Sequence, residues 1–226
     1  MLLSHKTTVK LNNDESNIVG HMCYAAYKLW NVCNFERVNY KTLDLPVDFP
    51  DWYYQKKAHK DDLWYKQLPS QTAQEVCKLL DKSWKSFFAL KKTDGIENPN
   101  PPGFKRNSIA ITYIQNAVVH EHGSDTVRLT LSKQLKGYMT DTYGICDNYL
   151  YLKNMIFKNM DIIKQIKIYP PVKGESKIIV IYEVPDVTPL PDNGRYLGID
   201  LGLHNLMTCC NTSTGETFIA GRKYLS

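Results

Sequence analysis

Between Phe104 and Ile109 the spacing of apolar residues changes from a helical repeat to alternation, so neither an all-helical bundle nor a single sheet accommodates the whole chain. Upstream, Ile18, Met22, Ala25, Leu29 and Val32 recur at helical intervals, and Val19, Cys23, Ala26, Trp30 and Cys33 widen the stripe. This predicts an amphipathic helix running from the turn and cap cluster Asn12-Asn13-Asp14 to about Tyr40. Ala73, Val76, Cys77, Leu80, Trp84, Phe87 and Phe88 define one face of a second helix that begins near 68–70, with Thr72 and Glu75 as its capping box. Downstream of Lys105-Arg106, residues 109–114, 117–121 and 126–131 alternate as strands, and 162–169 with 177–184 form a hairpin. Residues 135–151 are ambiguous and read as a short irregular helix. Residues 6–11 alternate too, ahead of the helices. The economical arrangement is α+β: a small antiparallel barrel split by a helical insertion, with the first strand returning to pair with later ones.

Loops separate these parts. Pro46 and Pro50 mark one; residues 94–104, dense in Pro and Gly, mark a second; 185–194, with three prolines, link to a C-terminal segment. No apolar run approaches the ~20 residues a membrane span needs, and no signal-peptide core follows the N-terminus, so a cytoplasmic protein without a membrane partner is expected. The six cysteines (23, 33, 77, 146, 209, 210) include no Cys-x-x-Cys pair and read as reduced, mostly core thiols. Cys209 and Cys210, being adjacent, point to opposite faces of a strand.

The net charge of +5 is unevenly spread. Residues 1–102 carry 14 basic and 12 acidic side chains, residues 103–173 carry 10 and 5, and residues 174–226 carry 4 and 6. The excess therefore sits in the middle segment. It fits a protein that holds a polyanion, and equally a soluble basic domain. Residues 52–64 interleave Lys56, Lys57, His59 and Lys60 with Trp and Tyr, the composition of a surface where rings stack on bases and ammoniums meet phosphates, or of a solvated helix anchored by its tryptophans. On the second helix, Gln71, Gln74, Lys78, Lys82 and Lys85 lie opposite the apolar face. Such a stripe is either simply wet or lies against a duplex, Gln reading a base edge and Lys meeting phosphate. Lys105 and Arg106 complete the candidate nucleic-acid-binding set.

Near the C-terminus, Arg-Tyr-Leu-Gly-Ile-Asp-Leu-Gly (195–202) reads as a buried strand with one carboxylate, Asp200, set in an apolar run. A lone buried carboxylate demands a cation or metal. Gly198 and Gly202 suit a close approach of backbone or ligand. Residues 204–210 and 217–220 follow as strands around a polar turn at 211–215. A first strand with an inward Asp and a meander opens ribonuclease-H-like sheets, where the Asp holds a catalytic metal. It also opens the actin and chaperone type of ATPase, although the long, basic N-terminal region argues against that fold. An Asp paired with Lys or Arg is the plain alternative.

Taken in order, six sequence words resemble the OrfB/TnpB family carried by bacterial insertion sequences, related to the compact type V CRISPR nucleases. They are Lys-Leu-Trp-Asn-Val-Cys-Asn-Phe-Glu-Arg (28–37), Leu-Pro-Ser-Gln-Thr-Ala-Gln-Glu-Val (68–76), Leu-Asp-Lys-Ser-Trp-Lys-Ser-Phe-Phe (80–88), Asn-Pro-Pro-Gly-Phe-Lys (100–105), Ile-Lys-Gln-Ile-Lys-Ile-Tyr-Pro (163–170) and Tyr-Leu-Gly-Ile-Asp-Leu-Gly (196–202). The resemblance spans nearly the whole chain. It implies an RNA-guided DNA endonuclease associated with transposition, with guide RNA and double-stranded target DNA as partners. It implies a barrel-like wedge domain (1–12 with 100–190), an inserted helical recognition domain (14–95), and the first strands of a ribonuclease-H-like RuvC domain (195–226). Gln74 falls at the family position that lies at target-adjacent DNA. Ser70 falls where some relatives carry a basic residue, so the motif read there is expected to differ. The family's first catalytic Asp maps onto Asp200, which would bind Mg2+. The family draws a further Glu, a second Asp and zinc-ribbon Cys pairs from segments beyond the third strand, and Glu216, beside the first hairpin, is no substitute. A chain with this content is expected to bind nucleic acid without cleaving it, whether as part of such a nuclease or as a non-catalytic binder or repressor.

Overall fold

A computed structural model describes residues 1–93, 97–186, 191–202 and 205–222. The chain divides into two compact units, Met1–Pro185 and Asp186–Ser226.

The first unit opens with β1 (Leu2–Lys10), which leads directly into α1 (Asn13–Val38). The junction is fixed by a reciprocal cap. The Asn12 side chain accepts from the Glu15 amide, and the Glu15 carboxylate accepts from the Asn12 amide, both at 2.8 Å. Burial on α1 extends beyond the apolar stripe to Asn34, Glu36 and Arg37, whereas Val32, expected in the stripe, is exposed. The helix is therefore packed on several sides, and polar residues on its far half meet other helices. After a loop come α2 (Trp52–Ala58), α3 (Leu63–Lys66) and the long α4 (Ser70–Lys92). The apolar face of α4 is buried from Ala73 to Trp84, with Phe87 half-buried and Phe88 exposed. The Thr72–Glu75 capping box does not form, because α4 starts two residues earlier behind Pro69 and Thr72 is buried inside its first turn. Glu75 instead accepts from Lys78 at 2.7 Å.

The chain then runs through β2 (Ile111–Ile114), β3 (Val118–His120), β4 (Thr126–Thr130), α5 (Lys133–Tyr143), β5 (Tyr149–Lys153), β6 (Ile162–Ile168) and β7 (Glu175–Glu183). β1 pairs antiparallel with β7 from Leu2↔Glu183 to Lys10↔Glu175, giving a four-stranded sheet ordered β1-β7-β6-β2. A second sheet is ordered β3-β4-β5. The expected barrel does not close. A 3-10 turn at Gln115–Ala117 ends β2 after four residues and turns the chain out of the first sheet, so β3 begins another. On β6 the register shifts between Ile163 and Gln165, and the extra residue puts both Ile163 and Ile166 in the core. The ambiguous stretch 135–151 resolves into a regular helix and a strand. Ser132 caps α5 by accepting from the Leu135 amide at 3.0 Å, and Gly144, at φ +69°, ends it in the left-handed conformation. Then β5 alternates Tyr149, Tyr151 and Lys153 outward with Leu150 and Leu152 inward.

One apolar core joins α1, α4 and the inner faces of both sheets. Tyr113 is fully buried there, and its hydroxyl donates to the Thr130 carbonyl at 3.0 Å. Cys23, Cys33 and Cys77 are in this core, while Cys146 is exposed.

The second unit contains β8 (Leu197–Leu201), β9 (Asn205–Asn211) and β10 (Thr217–Arg222), an antiparallel sheet ordered β10-β9-β8. Cys209 is buried and its neighbour Cys210 exposed, as alternation requires. The strand carrying Asp200 is not buried: every residue of β8 is exposed, Leu201 by 75%. β8 is an edge strand, and among the described residues of its unit only Cys209 is buried. Residues 94–96 of the Pro/Gly loop, 187–190 of the linker and His204 lie outside the described residues.

Candidate nucleic-acid interface

α2, α3, the start of α4 and the start of α5 enclose a cleft of about 580 Å³ lined by Lys56, Lys57, Lys60, Lys66, Lys133 and Gln74, and no carboxylate lines it. Each wall has a local cause. α2 begins at Asp51, whose side chain accepts from the Tyr54 amide at 2.7 Å, and this cap places Lys56 and Lys57 in the last turn. Lys56 lies over the Tyr53 and Trp52 rings at 4.3 and 4.7 Å, and Lys57 over Tyr53 at 4.4 Å. The opposite wall arrives from far along the chain. The Ser132 hydroxyl donates to the Lys66 carbonyl at 2.7 Å while capping α5, which brings Lys133 to the cleft and aims the positive end of the α5 dipole the same way. Gln74 and Tyr65 complete the lining, and burial pushes the Tyr65 phenol up to about 12, so the ring remains uncharged at neutral pH. Lys66 also lies 3.1 Å from Asp61, a partner outside the lining. Several ammoniums converging on one concavity without acid repel each other and favour a polyanion.

The sequence-derived candidates divide accordingly. Lys56, Lys57 and Gln74 meet in the cleft. Gln71 is half-buried with its Oε1 unpartnered. Lys78 is held by Glu75 and lies 5.0 Å over Trp52, and Lys85 pairs with Asp81 at 2.9 Å. Lys82 is exposed on α4. Lys105 and Arg106 stand beside α1 instead. Asn31 accepts from the Lys105 amide at 2.8 Å and donates to its carbonyl at 2.9 Å, and the Lys105 ammonium lies 4.6 Å over Trp30. Arg106 is exposed. Sequence spacing missed Lys66 and Lys133. They lie 67 positions apart, and the packing of α5 on α3, with the Ser132 bridge between them, makes them neighbours.

Beneath the interface is a buried polar network. Arg37 donates to Gln55 at 2.9 Å and to one Asp81 oxygen through two nitrogens, each at 3.1 Å. Gln55 donates to Glu36 at 2.7 Å and to the Cys33 carbonyl at 2.8 Å. His59 bridges Asp62 at 2.6 Å and Glu36 at 3.2 Å. Burial disfavours the Asp81 carboxylate, but Lys85 and Arg37 hold it below its usual range. Burial also disfavours protonated His59, and the bonds to Glu36 and Asp62 outweigh it, raising His59 to about 9. This network locks α1, α2 and α4 together behind the cleft.

Asp200 is in the other unit, paired across the ladder with Thr208 and exposed. The premise that burial forces a cation on it does not hold in this structure. A Cβ on Gly198 would come no closer than 3.8 Å to the Cys210 carbonyl oxygen, ordinary contact; one on Gly202 would come to 3.4 Å of the Asn205 oxygen. Among the described residues no three His, Cys, Asp or Glu side chains are grouped as a metal site. No described helix is long and apolar enough to cross a membrane.

No protein-family model matches the sequence, and no curated protein matches it. Among solved structures, a CRISPR-Cas12f ternary complex is similar at a TM-score of 0.45 and 14% identity, over 91% of this chain and 48% of that one. A Cas12f1-sgRNA-target DNA complex is similar at a TM-score of 0.43 and 10% identity, over 97% of this chain and 57% of that one. The chain thus spans about half the length of the solved chains it is similar to.

Proposed function

We propose that this chain is a nucleic-acid-binding part of an RNA-guided DNA endonuclease of the transposon-encoded OrfB/TnpB kind, holding guide RNA and double-stranded target DNA. The observation that carries the reading is the acid-free cleft of Lys56, Lys57, Lys60, Lys66 and Lys133, with Gln74 on its floor. Lysines at this density supply backbone contacts, and Gln74 supplies the paired donor and acceptor that reads a base edge. In this proposal residues 14–95 serve as recognition helices, the surrounding strands as the wedge, and 195–226 as the opening of a RuvC-type fold, with Asp200 its first metal carboxylate.

Cleavage by two Mg2+ ions about 4 Å apart needs carboxylates from several elements. The described residues gather no such set around Asp200, so they do not fit that ion pair and no cleavage step is assigned to them. The function proposed for these residues is binding.

Fluorescence anisotropy with structured RNA and duplex DNA over a salt series tests this. Wild type is expected to bind with a steep salt dependence, and Lys56→Ala with Lys57→Ala to weaken binding uniformly across sequences, lowering the log-log slope by roughly one per lost phosphate contact. A wild-type affinity indifferent to salt sinks the binding reading. Mg2+-dependent cutting of target DNA by the 226-residue chain, abolished by Asp200→Ala, overturns the assignment of binding alone.

A further inference from the structure

A second cavity of about 580 Å³ lies on the other side of α3 from the lysine cleft. Leu63 and Trp64 face this cavity, while the next two residues, Tyr65 and Lys66, face the cleft, so one turn of helix is the wall between them. α5 is likewise shared, giving Lys133 to the cleft and Tyr138 and Tyr143 to the cavity. The two linings are chemically opposite. No Lys, Arg, Asp or Glu lines the cavity; His21, Tyr24, Trp64, Tyr138 and Tyr143 do.

The rings pack on one another: His21 and Tyr138 are stacked at 4.3 Å and 24°, and Tyr24 meets Trp64 edge-on at 5.5 Å, so a further flat ring would add to this cluster rather than lie between its members. Tyr143 is 51% exposed and leaves the cavity reachable from solvent. Burial holds the His21 imidazole below its usual pKa despite its bond to Gln67. Its Nε2 lies 3.2 Å from the Gln67 side-chain Oε1, so a neutral ring donating there keeps Nδ1 as an acceptor. Ser16 also lines the cavity, and its Oγ is buried without a hydrogen-bond partner. A buried unpaired hydroxyl calls for a ligand or a water. Flat, uncharged, edge-polar and bordered by a phosphate-binding cleft describe one ligand class.

We propose that this cavity captures a single unstacked nucleobase of a strand whose phosphates lie in the lysine cleft. The proposal rests on the nucleic-acid reading above and adds where a base goes and which rings hold it. The phosphates on the lysines fix the strand's path, and the base stacks against the Tyr138–His21 pair beside Trp64 with its polar edge toward Ser16. Because every base has a π-face, the cavity selects for an unpaired nucleotide at one place in the strand rather than for a sequence.

The test uses the full chain and a single-stranded RNA in which a fluorescent purine analogue replaces each base in turn. Wild type is expected to quench the analogue strongly at one position. Tyr138→Ala is expected to lose that quench and roughly 5- to 150-fold in affinity, the range for removing one base-stacking ring, with the salt slope unchanged. Tyr138→Phe keeps both. Lys60→Ala does the reverse of Tyr138→Ala, lowering the salt slope and keeping the quench. If Tyr138→Ala loses its fold by circular dichroism, His21→Ala, the other ring of the same stacked pair, decides by the same two readouts. A folded alanine variant with full quench and affinity overturns the proposal and leaves the cleft standing. Quenching of free nucleoside analogue with none in the strand overturns the strand-borne source. Wild-type binding without salt dependence removes the nucleic-acid reading and this proposal together.

Discussion

His59 concentrates much of what the buried network does. Its two ring nitrogens meet Glu36 and Asp62, and its pKa is raised from 6.5 to about 9. A group whose folded pKa exceeds its unfolded value contributes stability that is complete below the unfolded value and is lost as pH rises through the folded one. Glu36 shifts the other way: burial opposes its charge, but His59 and Gln55 hold it lower, so its contribution is lost only in acid. The unfolding free energy from urea denaturation is therefore expected to fall by on the order of 2–3 kcal/mol between about pH 6.5 and pH 9. His59→Gln should flatten that limb. A wild-type profile that stays level across this window would mean the imidazole is not charged in the fold. The sequence places His59 among lysines and tryptophans, where it reads as part of a basic surface; only the structure turns it inward to two carboxylates.

At the scale of elements, the joint between α3 and α5 is the part most open to test. Ser132 caps α5 and, through its hydroxyl proton, ties it to the Lys66 carbonyl. Ser132→Ala removes both bonds and is expected to cost about 1 kcal/mol in stability, the usual loss for a helix cap. It should also raise the hydrogen-exchange rate of the Leu135 amide, measured by NMR, and weaken RNA binding, because one tie between the Lys66 and Lys133 segments is then lost. Loss of stability with unchanged binding would separate the cap from the cleft. The α5–β5 region was the hardest to read in sequence for a physical reason. The outward residues Tyr149 and Tyr151 are amphipathic, with large apolar rings, and do not contrast sharply with the inward Leu150 and Leu152, so alternation is masked until β4 supplies its partner. By contrast, α4 announced itself because one face is uniformly apolar over more than three turns.

At the scale of the molecule, the two units differ in how they are held. Met1–Pro185 shares one core between helices and two sheets. The described part of the second unit is a three-stranded sheet with Leu197, Ile199, Leu201, Leu206, Phe218 and Ile219 exposed. Three strands with so little burial are marginal, and an exposed apolar edge invites association. Limited proteolysis is expected to cut within 186–226 first and leave residues 1–185 as a resistant product, identified by mass spectrometry. Cuts inside the β1-β7-β6-β2 sheet that spare 195–226 would reverse this ranking. The sequence by itself determined the type of almost every long element and the α1 cap, because hydrophobic period and capping act between residues a few positions apart. Tertiary structure alone decided that the sheets stay open, that Asp200 is exposed, that Arg37 and Asp81 pair inside the protein, and which lysines meet. Those outcomes depend on what packs against a residue from distant parts of the chain. Lys66 and Lys133 become one site because α5 packs on α3 and the Ser132 hydroxyl bridges them, contacts no local spacing encodes.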